Sequence, residues 1–160
     1  MNIGIIVYSQ TGNTLSVAQR IAETLTAAGH TAEIRQVTTE HREKADAAVK
    51  LKDIPAVDGF DLLIFGAPVQ AFSLCAPMAL YLKQLPKLGG LPVGCFLTQG
   101  LNKKWMGGNR AYKTMNRRLL AKGAAVPVRI GHIHWRSDER EEQIADTVSG
   151  AAKFAATSVT

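Results

Sequence analysis

Between Asp61 and Asp138 the chain carries no aspartate or glutamate. The same stretch holds Lys83, Lys87, Lys103, Lys104, Arg110, Lys113, Arg117, Arg118, Lys122, Arg129 and Arg136. The formal net charge of +6 is therefore unevenly placed. A basic balance suggests an acidic partner or surface. It does not point to nucleic acid. There is no Cys/His finger, no glycine-and-aromatic RNP signature and no basic run alternating with aromatics. A solvated basic helix face would account for the same cations, and the two readings are compatible.

Cysteine is scarce too. Cys75 and Cys95 make no Cys-x-x-Cys pair, and no neighbouring histidine completes a zinc set, so no metal is expected. Two buried thiols are the ordinary reading. No run approaches the roughly 18 apolar residues that a membrane span needs. The chain opens on a strand pattern at Ile3, without the charged, apolar and cleavage regions of a signal peptide. A cytoplasmic protein is expected. Neither Gly-Lys-Ser/Thr nor Gly-x-Gly-x-x-Gly is present, which excludes the Walker loop and the dinucleotide turn.

What is present is a regular alternation of strand and helix patterns. Ile3–Tyr8 is a short apolar run suited to a strand buried on both faces. Leu15, Ala18, Ile21, Ala22 and Leu25 recur at helical spacing from about Thr14 to Ala28, and Gly29 stands at a C-cap position. Thr31–Val37 alternates as a second strand, Glu40–Leu51 reads as a weak charged helix, and Leu62–Gly66 is a third strand. Pro77 opens a helix to about Leu85, and Pro92–Leu97 is a fourth strand. Asn109–Lys122 is a basic helix ended by Gly123, and Val126–His134 is a fifth strand. Ser137 or Asp138 is expected to cap a last helix, with Asp138-x-x-Glu141 resembling a capping box.

This order predicts a single α/β domain over residues 1–160, with a five-stranded parallel sheet covered by helices on both faces. Ligands of such doubly wound sheets bind beyond the carboxyl ends of the strands. The loops after strands one, three and four are therefore the places to search. In the first, Ser9, Gln10, Thr11, Gly12, Asn13 and Thr14 crowd hydroxyls and amides into one turn before a helix. Gly12 permits a tight bend, and the free N–H groups of the helix start favour an anion. The result is a phosphate cradle with no cationic side chain. A plain N-cap would explain any one of these residues, but not all of them together.

The run from Ile5 to Thr14 resembles the phosphate-binding signature of flavodoxins. The resemblance extends along the whole chain in element order and length, and it implies strand order 2-1-3-4-5 and bound FMN. By the same resemblance, Pro68, Val69, Gln70, Ala71 and Phe72 would line the first flavin loop. Thr98, Gln99 and Gly100 would form the second, and Phe72 and Trp105 are candidates to cover the ring. Gly107-Gly108-Asn109 resembles a loop of flavodoxin-like NAD(P)H:quinone oxidoreductases. Two features depart from the electron-carrier pattern. Pro68–Leu74 contains no glycine, so any positive-φ residue there would carry a Cβ. The flavin loops also contain no acid, while Lys103, Lys104 and Arg110 lie close in sequence, which should make the flavin less reducing.

The resemblance leaves three functions open. An electron carrier would dock an acidic redox protein such as a ferredoxin on its basic face. An FMN-dependent NAD(P)H:quinone-type oxidoreductase would instead serve a small-molecule acceptor. A flavin-free binding module would use the fold alone. The carrier is favoured slightly, because a chain this short leaves little for a substrate pocket. His132 and His134 share one strand face but lack a carboxylate or thiolate partner at matching spacing, and no catalytic role is assigned to them or to Cys75.

Overall fold

The structure, a computed structural model, describes residues 1–40, 48–100 and 106–159. In chain order its elements are β1 (Asn2–Val7), α1 (Asn13–Ala27), β2 (Thr31–Gln36), β3 (Leu62–Gln70) and β4 (Ser73–Leu74). They continue with α2 (Ala76–Gln84), β5 (Val93–Gln99), α3 (Gly108–Ala121), β6 (Val128–His134) and α4 (Arg140–Thr157). The sheet order is β2-β1-β3-β5-β6, and every pair along this path is parallel. The chain reverses its direction of travel across the sheet between β1 and β3, which opens a crevice at their carboxyl ends.

Period-two alternation sorts the strand side chains into two cores. Ile3, Ile5 and Val7 of β1, with Leu62 and Ile64 of β3, pack under α1 and α4 against Val17, Ile21, Ile144 and Phe154. On the other face, Ile6, Leu63, Phe65 and Ala67 pack under α2 and α3 against Met78, Leu82, Met115 and Leu119. Both faces are buried, so the central strands read as unbroken apolar runs rather than alternating ones. This is the expected three-layer α/β fold.

Three local expectations need correction. The third strand does not stop at Gly66. It continues to Gln70, because Val69 and Gln70 pair antiparallel with Leu74 and Ser73 of β4. The sheet therefore gains a short sixth strand. The weak helix expected over Glu40–Leu51 is not seen at either of its ends: Thr39 bridges Leu51, and the Glu40 N–H donates to Lys50 C=O at 3.0 Å. Residues 41–47 lie outside the described residues. The capping box at Asp138 does not form either. The Ser137 hydroxyl accepts from the Glu139 N–H at 3.1 Å within a preceding turn, so α4 starts only at Arg140.

Candidate functional site

The loop after β1 is built from its own polar residues. Gly12 takes φ 91° and starts α1. The Ser9 hydroxyl accepts from the Leu15 N–H at 3.1 Å, and Gly12 C=O accepts from the Ser16 N–H at 2.9 Å. Among the described residues, the backbone N–H groups from Ser9 through Thr14 find no acceptor. No acidic residue stands in the first turn of α1. Unpaired donors at a helix N-terminus form a receptor for an anion.

Thr14 joins this loop to the next one. Its hydroxyl is buried and lies 2.8 Å from the hydroxyl of Thr98, at the end of β5. The Gln99 side chain is buried and bonded at both ends of its amide. Its amide nitrogen donates to Met106 C=O at 3.0 Å, and its oxygen lies 2.7 Å from Nε2 of His132. Because the amide NH2 is turned to a carbonyl, the oxygen faces the ring, and Nε2 of His132 carries the proton. His132 stacks on His134 with ring centroids 4.6 Å apart. The two histidines do share a face, and here they buttress Gln99.

The loop after β3 is a two-residue hairpin turn. Ala71 and Phe72 take φ 48° and 61°, both left-handed. Positive φ at both central residues is the geometry that suits the right-handed twist of a hairpin, and asparagine and glycine are its usual occupants. Alanine and phenylalanine there cost on the order of 1 kcal/mol each. Phe72 is 59% exposed. Its backbone lies against Gly107, which has φ 112° and would place a Cβ 2.4 Å from the Phe72 carbonyl carbon. Gly107 therefore ties the start of α3 to the hairpin tip.

These loops enclose a cleft of about 340 Å³. Of the residues expected at the site, Gln10, Thr11, Asn13, Thr14, Pro68, Val69, Gln70, Thr98, Gln99 and Gly100 line it. Gln70 donates to the Gln10 side-chain oxygen at 2.8 Å, linking the first two loops. Ser9 and Gly12 shape the loop without lining the cleft, and Ala71 and Phe72 form the hairpin tip beside it. Gly108 lies beneath His132, where a Cβ would fall 2.2 Å from Cε1. Trp105, Lys103 and Lys104 lie outside the described residues.

Two residues not expected there also line the cleft: Trp135 and Arg136, after β6. The first loop itself carries no cationic side chain, and Arg136 adds one to the lining of the cleft from a different loop. The Trp135 N–H donates to Gln99 C=O at 2.7 Å, and Arg140 sits 5.0 Å from the Trp135 ring centroid. The available signal was position, since Trp135-Arg136 directly follows a strand at the carboxyl edge of the sheet.

Residues 5–146 match the family model for flavodoxin. The chain belongs to the flavodoxin family. Flavodoxins bind FMN and transfer electrons through it, and the open N–H groups of this cleft, with no acid lining it among the described residues, fit that cofactor's phosphate. Among curated proteins, none matches the chain. Solved structures do. The flavodoxin of Streptococcus pneumoniae TIGR4 is 19% identical with a TM-score of 0.70, over 98% of this chain and 99% of that one. The two-electron reduced flavodoxin of Megasphaera elsdenii is 24% identical with a TM-score of 0.64, over 94% and 98%. A flavodoxin, WrbA-like protein of Agrobacterium tumefaciens is 13% identical with a TM-score of 0.65, over 98% and 96%. At these identities the likeness is one of fold. Among the described residues no helix is long and apolar enough to cross a membrane.

Proposed function

We propose that this flavodoxin is an electron carrier. Its FMN phosphate would rest on the N–H groups of Ser9–Thr14, and its ring against the loops 68–72 and 98–100. The observation that carries this reading is the single cleft shared by all three loops, with unaccepted donors at one end. When bound, FMN supplies the capacity to take up and release electrons. The protein's part is to bind, orient and shield. Thr14 and Thr98 hold two loops together, and Gln10 and Gln70 link the first loop to the β3–β4 hairpin.

The partner would be an acidic redox protein such as a ferredoxin. Arg110, Lys113 and Arg117 are all exposed and recur at three- and four-residue spacing, which puts them on one face of α3. The start of that helix is tied to the hairpin tip through Gly107. An acidic partner docking on these cations would approach the same end of the sheet as the cleft.

An anaerobic reductive titration of the FMN-loaded protein, followed by visible absorbance, tests the reading. A carrier accumulates a long-wavelength one-electron species midway through the titration. Direct bleaching to the fully reduced flavin would contradict one-electron carriage.

A further inference from the structure

We propose that Arg136 is the counter-charge to the FMN phosphate in this chain. The inference rests on the reading that the phosphate lies at Ser9–Thr14. Arg136 is exposed at the mouth of the cleft and lines it together with Thr11, Asn13 and Thr14. It is the one charged side chain lining that cleft among the described residues. It also makes no hydrogen bond or ion pair among them. Two other arginines on the α1–α4 face are engaged. Arg140 donates to Trp135 C=O at 3.1 Å, and Arg20 pairs with Glu141 at 3.0 Å.

The backbone fixes where Arg136 can reach. The Trp135 N–H is bonded to Gln99 C=O at 2.7 Å, and the Ser137 N–H to His134 C=O at 3.0 Å. Arg136 is thus pinned on both sides, beside the cleft rather than on a free loop. The chemistry also matches. A phosphate dianion held by neutral N–H groups keeps most of its charge, and a guanidinium offers a planar fork of donors suited to it. Among the described residues, no carboxylate lines the cleft to compete for that guanidinium.

Riboflavin lacks the phosphate and separates the two claims. Dissociation constants for FMN and riboflavin would be measured by quenching of flavin fluorescence on apoprotein, for the wild type, Arg136→Gln and Arg136→Lys. The wild type should prefer FMN. Arg136→Gln should weaken FMN roughly tenfold at low ionic strength, leave riboflavin unchanged and lose less at high salt. Arg136→Lys should recover part of the affinity. If Arg136→Gln binds FMN as the wild type does, while the wild type still prefers FMN, the role of Arg136 is overturned and the phosphate site stands. Equal weakening of both ligands would also overturn it. If the wild type binds both ligands equally, the phosphate reading itself falls.

Discussion

The α carbon of Gly107 faces the backbone of Phe72 so closely that a Cβ on Gly107 would lie 2.6 Å from the Phe72 carbonyl oxygen. Gly107 also holds φ 112°, which side-chain-bearing residues rarely adopt. Gly107→Ala is therefore penalised twice, by strain and by collision with main chain that cannot rotate away. A loss of about 2–3 kcal/mol is expected in urea denaturation of the apoprotein. The altered hairpin should also shift the visible spectrum of bound flavin. Unchanged stability and spectrum would mean that the hairpin and α3 are not coupled.

The Thr14–Thr98 bond makes a prediction about pairs. Thr14→Val keeps the volume but leaves the buried Thr98 hydroxyl without its partner. The expected cost is about 1–2 kcal/mol. Adding Thr98→Val should cost little more, or regain stability, because the orphaned hydroxyl is then gone. A double-mutant cycle by chemical denaturation reads this coupling directly. Additive losses would show that the two hydroxyls act independently.

Alkaline stability should depend on Cys95. Burial pushes its thiol from 9.0 up to about 12, and the nearby charge of Arg129 only partly opposes this. The unfolded thiol ionises first, so this group's contribution is intact below about pH 9 and is lost as pH rises toward about 12. The slope approaches ~1.4 kcal/mol per pH unit within that window. Burial likewise raises the phenols of Tyr81 and Tyr112, which add to the loss at higher pH. Cys95→Ala should flatten the alkaline limb of the denaturation midpoint. An unchanged limb would assign the loss to other groups.

The basic face of α3 should set the rate of electron exchange rather than flavin affinity. Lys113→Glu with Arg117→Glu should slow reduction by an acidic ferredoxin at least tenfold at low ionic strength, and the difference should narrow as salt is added. Stopped-flow reduction of the FMN-loaded protein measures this. Equal rates for variant and wild type would place the docking surface elsewhere.

The strands and the first loop were legible in the sequence because their causes are local. Ile3–Tyr8 is apolar because both faces of its strand are buried, and Ser9–Thr14 is polar because its backbone turns into a helix start. The β3–β4 hairpin was not legible, because Ala71-Phe72 lacks the asparagine and glycine that announce such a turn. Arg136 looked like one more surface cation. Only the pairing of β5 with β6, through Gln99 and His134, brings it beside a loop more than a hundred residues earlier. The histidine pair showed only a shared strand face in the sequence, and its packing beside Gln99 and over Gly108 became visible only in three dimensions.

The central claim is that FMN anchors its phosphate on the backbone of the first loop. Amide chemical shifts of 15N-labelled apoprotein, titrated with FMN and separately with riboflavin, test it most directly. FMN should move the amide protons of Thr11, Gly12, Asn13 and Thr14 downfield more than any others, and riboflavin should leave them near their starting positions. Shifts confined to another region, such as the second cavity beside Tyr112, Asn116 and Arg129, with the first loop unmoved, would contradict the account.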